Sequence, residues 1–315
     1  MNIKKVGLTA LAASLVSVSA HAGEMSVAGS ASIGLKNTSK TSTGKSWTMG
    51  NQLTFSGSGE LDNGMNVSLS FVIDQNDDST KTTAAQLDNA PFDSHSVTVS
   101  SDAMGSLKFS GEGGSSAQSA IDTTAAGDLW DNGSGFDTPK ASEAGNNSFV
   151  YTLPSLMDDL TLVGSYSPGG AGGPSATAFR IGFTGVEGLS VDFAEGQIET
   201  VGSEADVTTI KGSYAISSFT LSASSTEYDA ASGDETVDSY NVAYTVSDDL
   251  SIAYGTETIE TQGSATDEEA EKFNVSYTTG GVTLSATQYN FEGSGNSSGA
   301  AGEKERWALS ATFAF

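Results

Sequence analysis

Cysteine is absent from the 315-residue chain, proline occurs five times and histidine twice, and 13 basic residues stand against 39 acidic ones. Each shortage removes a class of explanation. Without cysteine, no disulfide supports the fold and no thiolate serves as nucleophile or metal ligand. Beyond the N-terminal segment a single histidine, His95, remains, so a Ser-His-Asp relay has only one candidate base. The scarcity of bases excludes nucleic acid as a partner, because neutralising phosphates takes a basic surface. Long apolar runs are also missing: after residue 23 every apolar stretch is soon broken by Ser, Thr, Gly or a charge, so no spanning helix is expected. Nor does any window of helical length repeat apolar residues every three to four positions.

What is present begins with a targeting pattern. Lys4 and Lys5 precede an apolar run over 6–18, followed by Ala20-His21-Ala22, as in a secretory signal cleaved after Ala22. That run is too short for an anchor, which needs about 20 residues. The expected organisation is a signal peptide over 1–22 and one β domain over 23–315. Cleavage removes two bases and no acid, leaving 11 against 39 and a formal charge of −28. Half of that acidity is explained by solubility in salty water alone.

The rest of the chain alternates apolar and small polar residues with a period of two. Val67, Leu69 and Phe71 share one face and Ser68 and Ser70 the other; Phe179, Ile181 and Phe183 oppose Arg180; Trp307, Leu309, Ala311 and Phe313 oppose Ala308, Ser310 and Thr312. Sixteen such segments are predicted, starting near Met25, Ser46, Met65, Ser94, Gly105, Asn146, Leu160, Ser175, Leu189, Val207, Phe219, Val237, Leu250, Glu271, Val282 and Lys304. Short connections with turn chemistry, such as Asp62-Asn63-Gly64 and Gly280-Gly281, alternate with long ones such as 75–93, 111–145, 261–270 and 292–303. A soluble sandwich has no reason to keep that rhythm. A membrane-spanning barrel with short periplasmic turns and long external loops does, and its outward Phe and Tyr would face lipid.

The sixteen-segment pattern, the signal peptide, the acidic loop after the fifth strand and the terminal strand from Arg306 to Phe315 resemble the Gram-negative general porins, closest to the alphaproteobacterial type. The resemblance covers the whole mature chain. It implies a 16-stranded antiparallel outer-membrane β-barrel, a homotrimer, a third loop folded into the lumen, and recognition of the last strand, with Trp307, Phe313 and Phe315, by the barrel-assembly machinery. The implied function is passive diffusion of small hydrophilic solutes through a water-filled channel, without a cofactor.

Candidate site residues follow from length and charge. The segment 113–145 is the longest connection, longer than a compact domain keeps without a use. It carries Asp122, Asp128, Asp131, Asp137 and Glu143 against Lys140 alone, and an external loop packed on its neighbours is the alternative to a constriction. Lys36, Lys108, Arg180 and Lys211 fall on the polar faces of their strands and could line the opposite pore wall, producing a transverse field; snorkelling is the bland alternative. Together with acidic loops at the mouth, this arrangement predicts weak cation preference. The clusters Asp74-Gln75-Asn76-Asp77-Asp78 and Asp267-Glu268-Glu269 could hold calcium between loops, although neither matches an EF-hand. Small residues Gly29, Ala31, Gly57 and Gly59 on the outward faces of the first two strands would let a neighbouring barrel approach. The rival reading, a β-rich adhesin or structural surface protein, should show a repeat of 20–30 residues, roughly, and none is found. An outer-membrane enzyme ranks third, for want of histidine and cysteine.

Overall fold

A computed structural model gives the fold and describes residues 25–38, 45–74, 93–133, 135–142, 147–169 and 173–314. The signal segment, Glu143, Phe315 and the Asp77-Asp78 end of the first acidic cluster lie outside the described residues.

Sixteen antiparallel strands, each paired with its neighbours in sequence, close into one barrel, with β1 against β16. In order they are β1 (Met25–Thr38), β2 (Lys45–Glu60), β3 (Asn66–Asp74), β4 (Ser94–Ser101), β5 (Gly105–Glu112), β6 (Ser148–Thr152), β7 (Leu160–Ser167) and β8 (Ser175–Phe183). Then follow β9 (Leu189–Thr200), β10 (Ser203–Ile216), β11 (Phe219–Ala230), β12 (Glu235–Ser247), β13 (Leu250–Thr261), β14 (Glu268–Thr279), β15 (Val282–Glu292) and β16 (Lys304–Ala314). Closure leaves no unpaired sheet edge, which is what allows strands to sit in lipid at all. The predicted strand starts agree with these within a few residues; the largest displacement is β10, which begins at Ser203 rather than near Val207.

Alternation decides which way each side chain points. Outward positions carry Val27, Leu69, Phe149, Phe179, Ile210, Leu221, Val242, Phe273, Leu284 and Leu309, all exposed. A water-soluble protein would bury such a band, since soluble monomers rarely expose contiguous apolar patches larger than a few hundred Å². Most inward positions on the same strands are Ser, Thr, Asn, Gly, Ala or charged, with Val207, Val237 and Phe291 as buried exceptions, so the interior is mainly polar and the exterior greasy. Sixteen strands leave an aqueous channel where eight would fill with side chains.

The barrel is lopsided. Strands β3 to β8 run five to nine residues, whereas β9 to β16 run 11 to 14. This qualifies the expected rhythm of long and short connections. At the end away from the termini, β9 and β10 are joined by Val201-Gly202 alone, because the strands themselves supply the height that a loop supplies elsewhere. It also relocates much of the charge. Glu195, Glu204, Asp206, Glu227, Asp229, Glu260, Glu269, Glu271, Glu292 and Glu305 sit on the outward faces of strands above the apolar band rather than in loops. At the opposite end the turns are tight, and Gly280 and Gly281 both take positive φ, 56° and 80°, as a type I′ hairpin demands.

Buried apolar packing occurs inside the barrel, between its wall and the connection after β5. Leu129 and Ala126 of that connection meet Ala270 of β14 and Phe291 of β15, with Phe136 and Tyr289 against them. Phe291 and Tyr289 therefore face inward, against the general tendency of the aromatics.

Candidate functional site

The segment after β5 turns into the barrel at its first residue. Gly113 has φ +64°, and a Cβ there would lie 2.5 Å from that of Ser94, so only glycine makes this corner without strain. From there the chain crosses the interior, fastened at each step to a different strand. The Ala117 N–H donates to Ser165 Oγ on β7 at 2.8 Å, and Gln118, fully buried, donates to Thr209 Oγ1 on β10 at 2.8 Å while accepting from the Ser142 N–H at 2.8 Å. The Ala125 and Ala126 N–H groups reach Ser224 of β11 and Ser239 of β12 at 2.8 and 2.9 Å. A short 3₁₀ turn, Leu129–Asn132, follows.

Three wall carboxylates hold the second half. Glu257 of β13, 2% exposed, accepts from the N–H groups of Leu129 (3.2 Å) and Trp130 (2.9 Å). Glu268 of β14 accepts from Asp137 (2.7 Å) and from Gly295 in the β15–β16 connection (3.0 Å), and Glu235 of β12 accepts from Lys140 (2.7 Å). Wall bases take the loop carbonyls in turn: Lys211 donates to Thr123 O at 2.5 Å, Lys272 to Ala126 O, and Arg306 to Asn132 O at 2.9 Å. Where the loop runs closest, the wall carries glycine. A Cβ at Gly255 would stand 2.8 Å from that of Ala126, and one at Gly196 would stand 2.5 Å from that of Ser142.

The residues singled out from sequence are distributed as follows. Asp131 is exposed on the loop. Asp128 accepts from the Thr124 N–H at 2.9 Å and returns its own N–H to Thr124 Oγ1 at 2.7 Å, which holds its left-handed φ of 49°. Asp137 accepts a 3.4 Å contact from Asn296. Asp122 is half-buried in a crevice shared with Asp128, Trp130 and Lys140, and its pKa is pushed up to about 6. Burial is the main cause and the charge of Asp128 the second; the Thr123 N–H and Lys211 oppose them.

The four wall bases do not form one ladder facing the loop. Lys36 points inward near the rim of β1 away from the termini, and Lys108 points inward from β5. Arg180 is committed to Asp192 on the neighbouring strand, with Nε and Nη2 both 2.8 Å from Oδ1. Lys211 lies under the loop rather than across from it. Trp307 and Phe313 are both on the outward face of β16, where Phe313 pairs with Ala31 and Val282, and Lys45 Nζ stands 5.8 Å over the Trp307 ring. His95, the second residue of β4, lies beside Glu112, 3.8 Å away. Of the second acidic cluster, Glu268 already serves the loop, and among the described residues no three His, Cys, Asp or Glu side chains gather as a metal site.

Sequence reasoning missed Glu235, Glu257, Lys272 and Arg306, and singled out Glu268 only as a candidate calcium ligand. Each does fall on the polar side of its strand, which was the available signal, but nothing local separates a residue that grips a loop from one that faces water.

The sequence profile of the Gram-negative porins matches residues 7–296. The chain belongs to that family. It is accordingly an outer-membrane porin, and the ends of the barrel can be named: the termini and tight turns are periplasmic, the tall rim external. Among solved structures, this porin is similar to the trimer form of OmpT, an outer membrane protein of Vibrio cholerae, at 15% identity and a TM-score of 0.70, covering 93% of this chain and 100% of that one. It is also similar to an anion-selective porin from Comamonas acidovorans (15% identity, TM-score 0.63, 93% and 100% covered) and to a mutant of the Rh. blastica porin (13%, 0.66, 93% and 100%). A search of curated proteins returns no match.

Proposed function

We propose that this porin is a passive, weakly cation-preferring diffusion channel for small hydrophilic solutes and ions, working as a homotrimer. The observation that carries the reading is the segment after β5, whose described residues 113–133 and 135–142 are hydrogen-bonded across a mostly polar interior, an arrangement that supports a passage narrowed rather than plugged. The fold does not choose the sign of the preferred ion, since the Comamonas porin is anion-selective. Charge placement supports cations here. Asp131 stands exposed on the loop, Arg180 is neutralised by Asp192, and the acidic collar above the apolar band draws cations toward the external mouth, an effect that salt screens beyond about 8–10 Å. Trimer formation is supported by the outer face of β1 and β2, where Met25, Val27, Trp47 and Met49 are prominently exposed beside the small residues Gly29, Ala31, Gly57 and Gly59. Knobs next to hollows suit a second barrel better than fluid lipid.

The reversal potential of single refolded channels in a potassium chloride gradient tests the selectivity. A weak cation preference that fades as salt rises is expected, with a shift toward anions in Asp131→Asn and Asp128→Asn. Marked anion selectivity in the unmodified porin would refute it.

A further inference from the structure

Just on the periplasmic side of the loop segment Thr124–Gly127 lies a cavity of about 320 Å³ in the channel wall, bounded by inward side chains of β9 to β14. Two of its residues are basic, Lys211 on β10 and Lys272 on β14, and its one carboxylate is Asp192. That carboxylate is already held by Arg180 at 2.8 Å. In a chain with three times as many acids as bases, the described lining of this cavity therefore carries two ammonium groups and no acid besides Asp192. Asp122 and Asp128 line a separate crevice with Trp130 and Lys140, from which Asp122 interacts electrostatically with Lys211, and Asp128, like Glu257 of the wall, with Lys272.

Both lysines are fixed in place. Each gives one proton to a loop carbonyl, Thr123 O or Ala126 O, and an ammonium has three, so two donors on each remain for a ligand. The carbonyls are three residues apart in the loop, and both lysines border the same cavity. Around them Ser190, Ser213 and Asn241 add neutral hydrogen-bonding groups. Among the described residues no aromatic side chain lines the cavity, so these offer no stacking surface to a sugar or a base. Two preset ammonium groups with hydroxyl and amide groups between them match an anion with oxygens on opposite sides and two charges.

We infer that this cavity is a binding subsite for small divalent oxyanions, at which such solutes pause while crossing the constriction. The inference rests on the loop lining an open channel, and its failure is separable from failure of that reading: a chain that forms no conducting pore defeats the channel, whereas a conducting pore indifferent to oxyanions defeats only the subsite.

Sulfate is the probe, being divalent at every working pH, and the measurement is the single-channel chloride current at fixed chloride and fixed ionic strength. Sulfate should reduce the current in a saturable way, and an equal concentration of glucose should not. Lys211→Gln and Lys272→Gln should each raise the half-blocking concentration about tenfold, as expected for losing one charge-assisted hydrogen bond. Lys211→Arg and Lys272→Arg should keep it near the original value, and Lys108→Gln, outside the cavity, should not change it. Should Lys272→Gln fail to insert, Lys211→Gln carries the same comparison. Absence of saturable block, equal reduction by glucose, or block of unchanged strength in Lys211→Gln would each overturn the subsite.

Discussion

At the residue scale, the loop is governed by which buried groups are charged. Asp122, with its pKa pushed up to about 6, changes charge in the range just below neutral pH. The native state holds its proton at pH values where an unfolded chain has already released it. Its contribution to stability is therefore favourable at low pH, declines as pH rises from the ordinary carboxylate range through 6, and is absent above. For conduction the sign is plain: below pH 6 the loop loses one negative charge. Cation preference should fall as pH is lowered from 7.5 to 5, and Asp122→Asn should flatten that step. Reversal potentials across the pH range check it, and an unchanged step in the variant would show that another group titrates. Glu257 gives the second residue-scale expectation. It accepts two backbone N–H groups in a site 2% exposed. Glutamine retains one acceptor and turns a donor toward the other N–H. Glu257→Gln should weaken the attachment by about 1.5–3 kcal/mol, so hydrogen exchange at Leu129 and Trp130 should quicken by roughly ten- to a hundredfold while the barrel amides stay protected.

At the scale of elements, loop and wall are two partners that meet over a small apolar seam. Leu129 is fully buried against Ala270 and Phe291, although most of its surroundings are polar. Truncation to alanine should cost about 2–5 kcal/mol at a site that cannot collapse, because the strands on either side are held by their ladders. Since the strands do not depend on Leu129, the cost falls on loop docking. Leu129→Ala is expected to form a normal barrel with a noisier and larger single-channel conductance; the unmodified conductance in that variant would show that the seam does not position the loop. The same contrast explains what could be read early. Strand positions such as Leu160, Ser175 and Phe219 were legible because alternation is a local property of the chain. The grip of Glu235, Glu257 and Glu268 was not, because an inward carboxylate on a strand has the same sequence signature whether it meets water or a backbone N–H.

At the scale of the whole molecule, the lopsided wall matters most. The short strands β3 to β8 set a low side and the long strands β9 to β16 a tall one, and the loop springs from the low side and is fastened to the tall. Beside the low side, the outer face of β1 and β2 presents exposed Met25, Trp47 and Met49 among small residues. Native mass spectrometry from mild detergent should report a trimer, and Gly57→Trp, which fills a hollow on that face, should release monomers while leaving each barrel conducting. A monomer in the unmodified porin would count against this interface.

By itself the sequence determined a barrel of 16 alternating strands, greasy outside and wet inside, and marked the connection after the fifth strand as the longest. Those features depend on a period of two and on composition, which survive in any window of the chain. Tertiary structure alone decided that Arg180 is cancelled by Asp192, that Lys211 and Lys272 frame a cavity beneath the loop, and that Phe291 faces inward to meet Leu129. Each of these joins residues that strand register and closure bring together across distances of 12 to 162 positions, for which no local pattern exists.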